Sequence, residues 1–368
     1  MNTAFLRNLA APLLETHPAA HALALNFGQV LVRVHTNSSA LREKLAVYFR
    51  DFLAAPGPGG EPCQADIAIT AIESASPDLG LVYTPKQPES GKAWIKEEYI
   101  DLADGRIVRK RLTNMTFLFG GGFNLAVGPC LANENQVVNF INNRFIEWKV
   151  NRGCLLFHAA GVSVGDTGLA IAGFAGMGKS TLALHIMRLG TDFVSNDRVM
   201  ARREADGLAM YGLAKMPRIN PGTIVHNESL RTVVTPRERE EFLSMDADAL
   251  WSLERKYDAF IDECFGPGRY RLKARLAGLA LLNWRRGGGP LSMREVDLAQ
   301  RPDLHPAFMK QVGLFYEADG PALEPGFTSE SYLDLLRGCP VLELSGGVDF
   351  EAAAKYLRDF LDASAART

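Results

Sequence analysis

Cysteine is scarce in this chain: five in 368 residues, at 63, 130, 154, 264 and 339, with no CxxC spacing among them. An odd, scattered set frames neither disulfides nor a zinc site, and it reads as idle or buried thiols of a reducing, cytoplasmic compartment. No run of about 18 apolar residues occurs, so no membrane-spanning helix is expected. The opening stretch carries Arg7, Pro12, Glu15 and Pro18 and lacks the basic, apolar, small-residue order of a secretory signal. Neither sign of charge dominates, since 40 Lys+Arg stand against 42 Asp+Glu for a net charge of -2. That balance argues against a basic nucleic-acid coat and an acidic tail, and basic residues are not interleaved with aromatics as a nucleic-acid grip would need. Repeats and low-complexity tracts are missing too. What remains, 47% hydrophobic and 22% charged residues, is a globular composition, and the length suits two domains.

The first part reads as mixed α/β. Alternation from Gln29 predicts a strand. Ser38 or Ser39 then caps a helix whose Leu41, Leu45, Tyr48 or Phe49, and Phe52 recur at helical spacing. Pro56-Gly57-Pro58-Gly59-Gly60 reads as an exposed loop. A strand is expected from Ala65, a hairpin around Ala103-Asp104-Gly105, and a strand from Met115 that the following glycines end. From Asn133 to Arg152 the pattern is helical, with Val137, Ile141, Phe145 and Trp148 on one stripe. This reads as a connecting helix, so the domains are expected at 1–152 and 153–368. The second part runs LLFHAAGVSV, GLAIAG, a glycine-rich turn, STLALHIMRL and DFVS. A surface helix is expected within 235–256, a buried strand from Leu276, and a final strand followed by an amphipathic helix.

Residues Gly173, Phe174, Ala175, Gly176, Met177, Gly178, Lys179 and Ser180 match G-x-x-x-x-G-K-[ST]. Glycines let successive backbone N–H groups converge on a phosphate, and the helix that follows turns its positive end to the same anion. Lys179, read as an exposed loop residue, brings charge to the β and γ oxygens, and Ser180 offers its hydroxyl to Mg²⁺. A chance match in this length arises roughly once in a hundred at ordinary residue frequencies, and here a strand precedes the loop and a helix follows it. Phosphoryl transfer also calls for a carboxylate at a neighbouring strand end, where Asp197 follows Asn196 and DFVS. His158, after the apolar Leu155-Leu156-Phe157, reads alone as a hydrogen-bonded core residue.

The order His158, hairpin, Gly173 to Ser180, helix, FVSNDRV resembles the HPr kinase/phosphorylase family, in its divergent "kinase B" branch. The likeness runs over roughly 155–201. Phe174, Ala175 and Thr181 stand where the family carries Asp, Ser and Glu, and Asn196 takes the first place of its Asp-Asp pair. The resemblance implies an α/β fold with a P-loop kinase core of the HPr kinase/phosphoenolpyruvate carboxykinase type, preceded by a smaller mixed α/β domain. It implies ATP and Mg²⁺ as cofactors. Carried over by position, the loop through Thr181 binds the triphosphate, Ser180 and Asp197 hold the metal, and Lys179, Asp197, His158 and Asn196 form the catalytic set, with Asp197 favoured as base and His158 assisting. A ring-like homo-oligomer fits the same resemblance. Lys215 and Arg218 are further candidates to reach a phosphate or acceptor. Arg285 to Gly289 reads as a loop, and Arg202 and Arg203 as solvated surface.

The expected activity is transfer of the γ-phosphate of ATP to a hydroxyl, on a protein Ser/Thr or a small-molecule acceptor, with neither nucleic acid nor membrane as partner. The alternative of another class is an ATP-binding, slowly hydrolysing regulatory scaffold that acts through a partner protein.

Overall fold

A computed structural model describes residues 5–55, 64–88, 94–319 and 326–367; the loop expected over 56–60, and Cys63, lie outside them. The chain forms two compact units, Met1–Arg152 with Val312–Glu324, and Gly153–Gln311 with Pro325–Thr368.

The first unit holds helix α1 (Phe5–Thr16), strands β1 (His21–Asn26) and β2 (Leu31–Thr36), helix α2 (Ser39–Tyr48), strands β3 (Ile67–Glu73), β4 (Thr84–Pro85), β5 (Glu97–Leu102), β6 (Gly105–Lys110), β7 (Met115–Gly120) and β8 (Phe123–Gly128), and helix α3 (Glu134–Val150). The strands make one sheet in the order β1-β2-β3-β8-β7-β6-β5-β4. The Ser38 hydroxyl accepts from the Leu41 amide at 3.2 Å, so the cap is Ser38, and the buried aromatic after α2 is Phe49. The glycines after Met115 end β7 at Gly120, as expected, and then turn the chain back into β8. Gly121 and Gly122, with φ of +52° and +77°, connect Gly120 to its partner Phe123 in a two-residue hairpin turn that glycine favours.

Helix α3 buries Val137, Ile141 and Phe145 of the expected stripe but also Arg144, whose side chain is 1% exposed. Arg144 lies over the Phe119 ring at 4.1 Å and pairs with Glu147 at 2.9 Å. It also donates to the carbonyl of Phe315. That contact belongs to a strap within Val312–Glu324. Arg106 donates to Leu314 O (2.9 Å) and Tyr316 O (3.1 Å), Asn151 to Glu317 O (3.0 Å), and the Glu317 amide to Glu147 (2.7 Å).

The second unit holds β9 (Leu155–Phe157), β10 (Ala159–Val164), β11 (Thr167–Gly173), α4 (Lys179–Met187), β12 (Asp192–Ser195), β13 (Val199–Glu204), β14 (Gly207–Tyr211), β15 (Arg218–Ile219), α5 (Pro221–Val225), α6 (Pro236–Leu243), α7 (Ala247–Ser252), β16 (Tyr257–Asp258), α8 (Ile261–Phe265), β17 (Lys273–Trp284), β18 (Leu291–Glu295), α9 (His305–Phe308), α10 (Ser329–Leu335), β19 (Val341–Gly346) and α11 (Phe350–Ala365). Two helices, α6 and α7, stand where one surface helix was expected. The sheet runs β12-β10-β11-β17-β14-β13-β9 and forks at β17, which pairs with β14 through residues 273–275 and with β19 through 279–284. Alternation sorts its two faces. Leu169 and Ile171 of β11 and Ala280 and Leu282 of β17 meet α4 and α11, while Ala170, Ala172, Leu279 and Leu281 face Phe308 and Tyr332.

Candidate functional site

Three connections converge at one end of this sheet. The first leaves β11 at Gly173, where a Cβ would lie 2.8 Å from Leu282 Cβ, so only glycine fits the close strand packing. The chain then turns through Gly176 (φ +80°) and Gly178 (φ +84°) into α4. Gly178 is the N-cap of α4, and a Cβ there would lie 2.7 Å from Phe350 Cζ. Trp284 Nε1 donates to Met177 O at 2.9 Å, which ties the loop to the end of β17.

The other two connections are brought together by strand pairing. β9 pairs antiparallel with β13, and β10 with β12. His158 links β9 to β10, and Asn196-Asp197-Arg198 links β12 to β13, so two crossings between the same strand pairs lie side by side. His158 Nε2 is 3.4 Å from Asp197 Oδ1. The His158 amide donates to Phe308 O at 2.8 Å, fixing the break between the strands. His158 is therefore at a strand junction with a partly exposed side chain (28%), not a core residue.

A cleft of about 1100 Å³ opens over these connections. Of the expected residues, His158, Ala175, Gly176, Gly178, Lys179, Ser180, Thr181, Asn196, Asp197 and Arg218 line it; Gly173, Phe174 and Met177 do not, and Met177 packs against the core. Lys215 is not in its lining, although its charge acts on Asp197. Arg218 pairs with Asp258 at 3.3 Å. Arg286 and Gly287, read as a plain loop, border the cleft, with the Arg286 guanidinium 5.0 Å from the Trp251 ring.

Lys179 differs from expectation: it is the first residue of α4 and 9% exposed. Its ammonium donates to the carbonyls of Gly173 (2.9 Å) and Phe174 (3.3 Å), and its burial lowers its pKa while Asp197 raises it. Asp197, whose side chain is 57% exposed, is held far below the ordinary carboxylate range, first by the adjoining His158 imidazole and then by Arg198 at 3.7 Å and Lys215. It therefore stays ionised.

The sequence reading missed several lining residues. Asn220 is the N-cap of α5 but makes no side-chain cap bond, and its Oδ1 is buried without a hydrogen-bond partner, as is Asn196 Oδ1. Both amides lie on the cleft. Thr181 and Thr223 hydroxyls meet at 2.7 Å. His185 is stacked on Phe350 and held by Glu351 at 3.1 Å; burial lowers its pKa. An Asn followed by Pro at a helix start was the one local signal for Asn220. The others come from segments joined only by the fold.

Among the described residues no group of three or more His, Cys, Asp or Glu side chains converges to hold a metal. Any cation in the cleft would thus rest on few protein ligands, such as Asp197 and Ser180, and on the ligand it accompanies. No helix among the described residues is long and apolar enough to cross a membrane.

Comparison with protein-family models and with curated proteins finds no match. Among solved structures, the chain is similar to the HPr(Ser) kinase/phosphatase from Coxiella burnetii, with 14% identity and a TM-score of 0.28 over 56% of this chain and 98% of that one. A likeness of that degree decides nothing about the cleft, which stands on its own geometry.

Proposed function

We propose that the second unit is an ATP-dependent phosphotransferase that passes the γ-phosphoryl group to a hydroxyl of a protein or small molecule. The observation that carries this reading is one cleft bordered by both the Gly176–Ser180 turn and the His158–Asp197 pair, 3.4 Å apart. In this reading the backbone N–H groups of the turn and the start of α4 hold the triphosphate. Lys179, now folded onto two carbonyls of its own loop, exchanges them for phosphate oxygens. Ser180 and Asp197 would hold Mg²⁺, for which an ionised carboxylate is the fitting donor; the chemistry such a cation would supply is neutralisation of charge on the transferring group.

The same depression of its pKa makes Asp197 a poor proton acceptor. The base role favoured for it on sequence therefore passes to His158, which Asp197 orients. Asn196, an amide, takes no proton, and its unpaired carbonyl oxygen supports a hydrogen-bonding role toward the ligand.

The test is to incubate the full chain with γ-labelled ATP, Mg²⁺ and a fractionated lysate. Label is expected on a species other than water, and Lys179→Met should abolish it. Label found only as inorganic phosphate would turn the reading to the slow-ATPase scaffold, and no ATP binding would end both.

A further inference from the structure

A second depression, of about 350 Å³, lies at the opposite end of β17 and is lined by Arg203, Arg275, Arg337 and Arg367, with Asp206 as the only carboxylate in its lining among the described residues. From Arg275 to Leu282, the partner of Gly173, is seven residues of extended strand, or roughly 23 Å, so this is not the cleft. The arginines come from β13, β17, the turn before β19 and the chain following α11. On sequence Arg203 reads as solvated surface; the fold sets it among three further guanidinia.

Arg203 and Arg367 direct their hydrogen bonds to neutral acceptors. Arg203 donates to the Arg337 carbonyl, Arg367 to Ser364 Oγ at 3.0 Å, and Arg275 to Thr167 Oγ1 at 3.3 Å and Ser364 O at 3.5 Å. Arg337 pairs with Asp334 at 2.6 Å. Among the described residues neither Arg203 nor Arg367 stands in an ion pair. The bonds of Arg203 and Arg367 orient their guanidinia without neutralising them, and like charges gathered on one small concavity repel. In a chain whose overall charge is -2, this is a local excess of positive charge on a concave surface.

We propose that this depression binds a small, multiply charged phosphoryl anion. Guanidinium forks match phosphoryl oxygens two at a time, and the volume falls at the small end of ligand sites. Phosphoryl geometry is distinguished from bare charge by comparing pyrophosphate with citrate, and the place of binding by amide hydrogen exchange.

With the full chain at low salt, calorimetry should show pyrophosphate binding more tightly than citrate and weakening as salt rises. Pyrophosphate should slow exchange at 273–277 and 337–339. The double variant Arg203→Gln/Arg367→Gln, with its melting temperature checked against wild type, should raise the Kd for that component at least ten-fold. Because the cleft can also take pyrophosphate, the exchange map separates the two sites whether or not the phosphotransferase reading holds. Protection confined to 174–180, no protection at all, citrate binding as well as pyrophosphate, or an affinity within two-fold after the double substitution would overturn the proposal.

Discussion

Replacing Lys179 with Met keeps the aliphatic stem and deletes the ammonium. The loop loses two charge-assisted hydrogen bonds, to Gly173 O at 2.9 Å and Phe174 O at 3.3 Å, each worth about 1.5–3 kcal/mol at most. Against this, the variant no longer holds a charge at a site only 9% exposed, a burden that shows as the lowered pKa of the ammonium. The two contributions oppose, and the net change in stability should stay within about 2 kcal/mol, a Tm shift below roughly 8 °C for a domain of this size. Nucleotide binding should respond far more. At a nucleotide concentration a hundred times the wild-type Kd, the folded state gains about 2.7 kcal/mol. Loss of the clamping charge should weaken binding about 100-fold, so at the same concentration the variant gains only about 0.4 kcal/mol. Thermal melts of both proteins with and without Mg-ATP read the two effects: several degrees of nucleotide-induced shift in wild type against about 1 °C in the variant. Equal shifts would refute the reasoning and remove Lys179 from the nucleotide site.

The two glycines of the turn separate backbone strain from packing. Gly176→Ala puts a Cβ into open space at φ +80° and should cost about 1–2 kcal/mol. Gly178→Ala adds a clash with Phe350, itself wedged between His185 and Trp284, for about 2–5 kcal/mol in all; denaturant melts giving equal losses would contradict this packing. His158→Gln should slow transfer about 10²–10⁴-fold with little change in the Kd for nucleotide, and an unchanged rate would leave His158 no base role. Asn196→Asp places a carboxyl in a buried spot beside Asp197, which should raise its pKa above the unfolded value. Its contribution to stability is then full below the unfolded value near 3.9 and is lost as pH rises from there through the raised folded value, so urea midpoints should fall relative to wild type as pH rises above about 4; parallel profiles would count against burial there. Glu343, 1% exposed and held to about 2 by Arg301, Asn283 and Arg294, works in the opposite sense. Its stabilisation is present above the ordinary glutamate value near 4.3 and is lost as pH falls toward 2, so Glu343→Gln should flatten the acid limb of the urea-midpoint curve.

Much of the fold was legible because period decides local structure. Alternation placed β2 and β3, apolar continuity placed β17, and the glycine-rich turn between a strand and a helix was written in eight consecutive residues. The strand after Gly121-Gly122 was not, since glycines both end and turn strands, and only the pairing partner decides which. The likeness of Lys179 to an exposed loop residue failed for a related reason: its burial depends on the carbonyls of its own loop and on the packing around α4. Sequence placed Asp197 near the turn by its strand-end position after the P-loop helix and His158 through a resemblance, but their adjacency rests on two strand pairs crossing in step, and Asn220, Thr223 and Trp251 reach the cleft from segments with no shared pattern. Arg203 shows the same limit, because a charge on a strand reads as solvated until the other three arginines are seen around it.

The strap at 312–317 has a consequence for synthesis. A ribosome adding about 5–20 residues per second needs on the order of 10–30 s to go from Arg152 to Glu317. Throughout that interval Arg144, Asn151 and Glu147 lack the backbone groups that they engage at Phe315 and Glu317. A buried guanidinium with part of its bonding missing is costly, so the N-terminal unit cannot close when its own last helix emerges. It must wait, open at that face, until residues 312–317 have been made, a delay that still precedes β19 and α11, which the second unit needs in turn.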